Sequence, residues 1–389
     1  MFLALDQKAR NFRMDHARNE MSDSKQDFAA LTTFRAIGAL CVIQFHAWAM
    51  VSPAWSESWL FMGFVLWPDY FFALSGFILM HVYGKTLFKR KDSLYNFFVH
   101  RIARIYPLHV FVLLALIVFE SLRWLAKHNG VDVSIGGEPF LHGTHPKYII
   151  TNLLLIQAWG VQHMNSWNVP AWSISAEFAC YLVFPIFIRY NLIGRKVTAS
   201  LLVLLAIGGL ILIQATRRDF DVTYSLGAVR ALSSFTLGCV LYQYLPTLLK
   251  GLSFIPPALL QGITLIAVVV AYKVNALPLI YIPLWLLLIA SFTYENTWIA
   301  RSLSWGPMVQ LGEMSYSLYM VHVLVLVNVI LAKTATPNLF NAFIAWPPVL
   351  ILFALWGATI FISIFTYKYI EKPGRAFVRR KFDRKAKAS

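Results

Sequence analysis

Charged side chains are scarce in this sequence. They make up 13% of its 389 residues, about half the ~25% share of a soluble domain, so a surface built for water is excluded. Cysteine is nearly absent as well. Cys41, Cys180 and Cys239 lie far apart inside apolar runs, a spacing that offers neither a disulfide framework nor a thiolate metal site. Acidic residues are few, 18 against 34 Lys and Arg. The balance of +16 invites a nucleic-acid reading, but the basic residues gather at the ends of apolar runs instead of along one face. They read as orientation signals and, in part, as a site for an anionic ligand. Residues 1–27 are polar and mixed in charge, so no cleavable signal peptide is expected and the first apolar run should act as its own targeting signal.

What is abundant is apolar sequence, 58% of the chain. Runs near the ~20 residues needed to cross a bilayer fall at 28–50, 59–84, 105–126, 172–190, 198–216, 224–244, 254–273, 277–293, 308–332 and 346–370. Turn-forming pairs separate them, among them Ser52-Pro53, Pro256-Pro257 and Pro347-Pro348. Residues 148–160 are apolar but too short for a crossing, and are expected to be re-entrant or interfacial. The predicted fold is an all-α, polytopic transmembrane helix bundle of about ten spans. It forms one domain over 28–375, between an N-terminal arm, 1–27, and a basic tail, 376–389.

The Lys and Arg distribution sets the expected direction. With the N-terminus inside, 25 of the 34 fall on the cytoplasmic side and eight outside, Arg230 among the eight, while Arg35 lies within the first span. Counting 148–160 as a crossing would export the basic tail, against the positive-inside bias. Both termini are therefore expected in the cytoplasm, with the chain spanning an inner membrane.

A charge at the centre of a membrane helix costs about 2.5–3.5 kcal/mol, so each one kept there needs a partner or a task. Arg35 and His46 in the first run, Asp69 in the second, Glu177 in the fourth and His322 in the ninth are the candidates. Arg35 and His46 are eleven residues apart and so share a helix face, about 16 Å apart along the axis. Arg35 could simply pair with Asp69. Arg101 and Arg104, three apart on one face, could fork around phosphate oxygens or serve as anchors at a helix start.

Several segments, taken together, resemble the acyltransferase-three family of membrane O-acyltransferases. Leu31-Thr32-Thr33-Phe34-Arg35-Ala36 with Phe45-His46 is similar to its first-helix Arg-to-His motif, although Thr32 stands where the family often has an acid or amide. Asp69-Tyr70-Phe71-Phe72-Ala73-Leu74-Ser75-Gly76-Phe77 is similar to its second-helix signature, and Arg101-Ile102-Ala103-Arg104-Ile105-Tyr106-Pro107 to its paired-arginine motif. Trp172-Ser173-Ile174-Ser175-Ala176-Glu177 resembles its Trp-Ser-x-Ser-x-Glu motif. Ser315-Tyr316-Ser317-Leu318-Tyr319 with His322, and Glu371-Lys372-Pro373, resemble its late helix and closing Glu-x-Pro.

The resemblance implies an enzyme that takes an acyl group, most often acetyl, from cytoplasmic acyl-CoA. The acceptor it implies is a sugar hydroxyl of an exported or cell-surface glycan at the outer face of the bilayer. Acetyl-CoA would be the donor substrate, with no metal. Arg35, Arg101 and Arg104 would hold the donor's phosphates. His46 would act as general base or as a nucleophile forming an acyl-imidazole. Glu177 would orient His46 or bind the acceptor, and His322 is the reserve candidate for the base. Asp69, Trp172, Ser173 and Tyr181 are candidates for binding substrate. Trp167, Trp172 and Tyr181 could stack on a sugar, or be ordinary interfacial anchors. The rival reading is a transporter of a sugar- or lipid-linked substrate, against which the halves show no internal repeat.

Overall fold

The computed structural model describes residues 28–51, 66–89, 93–131, 137–217 and 220–384, with 49–51 as backbone alone. The expected N-terminal arm, the start of the second expected span (59–65), Arg90, Lys91, Arg218 and the end of the tail (385–389) lie outside the described residues. Among the described residues the structure is helical, without strands.

Ten helices stand where the ten apolar runs lie: α1 (Ala29–Val51), α2 (Trp67–Tyr83), α3 (Ser93–His128), α5 (Trp172–Arg189), α6 (Lys196–Thr216), α7 (Gly227–Gly251), α8 (Pro257–Lys273), α9 (Pro278–Ser291), α12 (Ser315–Ala335) and α14 (Pro348–Thr366). Shorter helices complete the set: α4 (Lys147–Leu153), α10 (Trp298–Leu303), α11 (Gly306–Glu313), α13 (Pro337–Ile344) and α15 (Lys372–Phe382). Six helices are long and apolar enough to cross a membrane, namely α1, α3, α5, α6, α12 and α14. The other four fall short of that for evident reasons. α2 and α8 have 17 residues each and α9 has 14, while α7 is long enough but carries Arg230, Ser233, Ser234 and Thr236.

The chain marks its helix starts with proline, which costs no hydrogen bond in a first turn: Pro68, Pro257, Pro278 and Pro348 all sit there. The outer helices present apolar side chains to the surroundings. Leu201, Leu204, Leu205 and Leu212 on α6, and Val349, Phe353 and Phe361 on α14, are exposed. In water such faces would be a liability, whereas in lipid they need no partner. Residues 148–160 form only the seven-residue α4 and a series of turns, about 10 Å of helix and too little to cross.

α2 packs on α7 at unusually close range. A Cβ on Gly76 would strike the Phe235 carbonyl, and one on Gly238 would strike the Ala73 carbonyl. Reciprocal small residues let two membrane helices approach backbone to backbone. The same pair carries the deepest ion pair. Arg230 Nη2 donates to Asp69 Oδ2 at 2.5 Å, and its Nε reaches both carboxylate oxygens at 3.1 Å. Ser234 adds a bond to Asp69 at 3.0 Å, and Arg230 Nη1 donates to the Phe220 carbonyl at 2.8 Å. Arg230, counted with the outer basic residues although it falls within the run 224–244, lies one turn inside α7 and is 1% exposed. It, not Arg35, is the partner of Asp69. A buried guanidinium needs a buried carboxylate, and the glycine crossing brings this one within reach.

Candidate functional site

Contacts between helices fix their relative directions. Arg35 meets Ser315 and His46 meets His322, so α1 and α12 run parallel. Ser75 meets Glu177 and Phe72 meets Trp172, so α2 runs parallel to α5. Tyr319, a turn along α12, meets Ser173 at the start of α5. Between these helices and α3 lies a cavity of about 310 Å³, at the small end of the range for ligand pockets.

One end of the cavity is cationic. Arg35, Arg101, Arg104 and Arg375 line it, with Glu177 as the acidic residue on its wall. Arg35 Nη2 donates to Ser315 Oγ at 2.9 Å. Arg101 lies over the rings of Tyr83, Tyr181 and Phe97 at 5.4, 5.7 and 6.0 Å, and its buried Nε has no hydrogen-bond partner among the described residues. Its Nη2 donates to Tyr83 Oη at 3.4 Å, while stacking on the rings holds the guanidinium in place without consuming further donors. Arg104 lies 5.8 Å from the Tyr316 ring, and its Nη1 is 3.5 Å from Glu371 Oε1.

Beyond the arginines the wall is apolar, formed by Phe71, Leu74, Ile78 and Ile174 among others. Pro68 and Leu79, both on that wall, are eleven residues apart on α2, so the cavity follows the helix for about 16 Å. Two hydroxyls mark its far end. Tyr319 Oη donates to the Pro170 carbonyl at 3.1 Å and accepts from Ser173 Oγ at 2.9 Å.

The histidines stand past Tyr319, off the cavity wall. The rings of His46 and His322 are 5.0 Å apart, and Tyr319, which lines the cavity, is 6.0 Å from His322. His46 Nδ1 contacts the Val42 carbonyl at 2.9 Å. That contact makes Nδ1 the protonated nitrogen of a neutral ring and leaves the Nε2 lone pair free. His322 is fully buried, and neither of its ring nitrogens has a hydrogen-bond partner among the described residues. A buried imidazole in that state calls for a polar guest.

The structure thus gathers Arg35, Arg101, Arg104, Glu177, Ser173 and Tyr181 around one cavity, and His46 with His322 just beyond it. It does not bring Glu177 to His46, since Glu177 accepts from Ser75 Oγ at 2.8 Å on the arginine side. Asp69 and Trp172 stand off the wall. Asp69 holds Arg230, and the Trp172 ring lies 5.5 Å from that guanidinium. Trp167 is buried, its ring 6.3 Å from Phe140.

Two residues of the site were missed from sequence. Tyr319 was read as part of a motif with no task of its own, and Arg375 as one more of the basic residues that close the chain. Only chain folding brings both to the cavity wall.

Comparison with known proteins adds an independent line. A family model described as an acyltransferase domain matches residues 28–368. "Acyltransferase MdmB" of Streptomyces mycarofaciens is 29% identical over 283 residues, 66% of this chain and 66% of its own length. "Protein 2 in picA locus" of Rhizobium radiobacter is 29% identical over 205 residues, 50% of this chain and 98% of that protein. "O-acetyltransferase OatA" of Staphylococcus aureus is 23% identical over 347 residues, 81% of this chain and 53% of its own length. This chain thus spans about half of OatA and about two thirds of MdmB. No solved structure matches.

Proposed function

The chain belongs to the acyltransferase family whose model covers residues 28–368, and from that premise we propose that it is a membrane O-acyltransferase using acyl-CoA. In this reading it moves an acyl group, acetyl in the simplest case, to a sugar hydroxyl of an exported or cell-surface glycan. The observation that carries the reading is the cavity itself, with four arginines at one end, an apolar length, and a hydroxyl pair leading to two histidines. A ligand with a polyanionic head and a long neutral arm suits that sequence of surfaces, and acyl-CoA is such a ligand. The positive-inside bias puts the arginine end at the cytoplasm, where acyl-CoA is made, with both termini on that side and about ten crossings of an inner membrane.

Each residue then has a task. Arg35, Arg101 and Arg104 bind phosphate oxygens, Arg101 with a buried N–H still free. The apolar wall takes the arm, so that the thioester arrives beside Ser173 and Tyr319. His46 Nε2 accepts the proton of the acceptor hydroxyl as its oxygen bonds to the acyl carbon. The carbon–sulfur bond breaks and the thiolate leaves, taking the proton back from His46. His322, beside His46 and Tyr319, holds the acceptor hydroxyl or a water at that nitrogen. Tyr319 stands between the cavity and the imidazoles, so its ring must turn aside for transfer. The covalent alternative puts the acyl group briefly on His46 Nε2 before the sugar takes it.

The deciding experiment supplies labelled acetyl-CoA to membranes containing the protein and then fractionates the glycans. Label in glycan ester, absent without the protein, is the expected result. Transport of an intact sugar-linked substrate without release of free coenzyme A would favour a carrier instead.

A further inference from the structure

The segment Glu371-Lys372-Pro373-Gly374-Arg375 closes the bundle, and three of its residues converge on the arginine end of the cavity. Glu371 ends a π-helical turn, Tyr367–Glu371, between α14 and α15. That turn points its carboxylate inward, where it is 1% exposed. Its Oε2 accepts from Ser317 at 2.8 Å, while its Oε1 faces two guanidiniums, Arg375 at 3.2 Å and Arg104 at 3.5 Å. Gly374 lets α15 cross α3 in contact, since a Cβ there would lie 2.5 Å from the Pro107 Cβ. Pro107 is one turn past Arg104, so this crossing brings Arg375 onto the cavity wall beside Arg104.

One carboxylate oxygen between two guanidiniums compensates them only in part. Each guanidinium has five N–H donors, and Glu371 engages one nitrogen of each. The remaining donors of two neighbouring forks, on two different helices, are left for a ligand. Two forks this close suit two adjacent anionic groups better than a single one.

We propose that Arg375 is a fourth phosphate-binding arginine of the donor site, gripping the diphosphate of acyl-CoA together with Arg104, and that Glu371 aims both. This rests on the donor reading of the cavity. Arg375 donates to one phosphoryl group and Arg104 to the other. Glu371, tied to Ser317, offsets the repulsion between the two guanidiniums and holds them side by side. The segment is thus part of the binding wall, not only an anchor in the tail.

The test is calorimetric titration of the purified full chain in nanodiscs with coenzyme A and with 3′-dephospho-coenzyme A. Arg375→Gln should weaken both ligands to the same degree, by about tenfold to a hundredfold. Arg375→Lys, which keeps the charge but not the fork, should give an intermediate loss for both. It also keeps the test open should the glutamine variant not fold. Gly374→Ala, which alters no charge, should weaken both ligands by displacing Arg375. If the wild type binds coenzyme A and Arg104→Ala weakens it while the Arg375 variants bind normally, this proposal fails and the donor reading survives. A loss confined to coenzyme A would also overturn it, because the contact would then be to the 3′-phosphate. A wild type that binds neither ligand sinks the donor reading, and this inference with it.

Discussion

The imidazoles of His46 and His322 face each other across 5.0 Å at an interplanar angle of 47°. They sit on two parallel helices that also meet at Arg35 and Ser315. Along α1 the two contacts are eleven residues apart, and along α12 only seven, about 16 and 10 Å of rise. The extended side chain of Arg35 makes up part of the difference. Two contacts from one pair of helices thus tie the arginine-lined end of the cavity to a pair of imidazoles further along the bundle.

That relationship predicts where a loss should appear when His46 is changed. His46→Ala should insert normally, bind coenzyme A as the wild type does and lose acyl transfer by roughly 10²–10⁴-fold, the usual contribution of a general base. His46→Gln should be equally inactive, since its amide cannot accept the proton. The covalent alternative adds that wild type, but not His46→Ala, carries label from acetyl-CoA without acceptor. If more than about a tenth of transfer remained, less than the loss of even a modest general base, His46 would be structural and His322 the better base.

Arg101 and Arg104 should act on affinity instead. A charge-assisted hydrogen bond contributes about 1.5–3 kcal/mol, so Arg104→Ala should weaken coenzyme A binding by about tenfold to a hundredfold. Arg104→Lys should recover part of this, because an ammonium lacks the planar fork. A correctly inserted Arg101/Arg104 double alanine with unchanged binding would return both residues to the role of membrane anchors.

The Asp69–Arg230 pair should act on stability. Removing one partner of a buried pair strands the other charge and costs about 3–5 kcal/mol. Asp69→Ala or Arg230→Ala should therefore lower the melting temperature in detergent sharply. Replacing both with apolar residues of similar size should recover much of the loss. A single variant that melts like wild type would contradict the burial of the pair.

Orientation can be read with reporter fusions. Fusions after Lys91, after Arg195 and at Ser389 should report the cytoplasm, and one at Gly137 the opposite side. A cytoplasmic signal at Gly137, or an external C-terminus, would invert the assignment of the arginine end.

Much of the helical layout was legible because it depends on local chemistry. In lipid a backbone must satisfy its own hydrogen bonds, so an apolar run of sufficient length is already a helix, and proline pairs mark where it starts. The number of crossings was less legible: the runs at 277–293 and 224–244 read as spans, yet α9 is 14 residues long and α7 carries a buried arginine, and neither is among the six helices long and apolar enough to cross. The candidate arginines and histidines were legible too, since charge inside an apolar run is costly enough to need a reason.

Pairing was not legible, because it is set by which helices touch. Asp69 could have met Arg35 by depth, and only the glycine crossing of α2 and α7 gives it to Arg230. Glu177 could have met His46, and the register of α5 against α2 turns it toward Ser75 instead. Arg375 read as one of the basic residues closing the chain until the Gly374–Pro107 contact brought it to the cavity. The sequence by itself determined an all-helical membrane chain, a family and a set of costly intramembrane charges, since these follow from residue chemistry along one strand of chain. Only the tertiary structure decided which charges neutralise each other and which line the cavity, because a close helix crossing sets distances that no spacing along the chain contains.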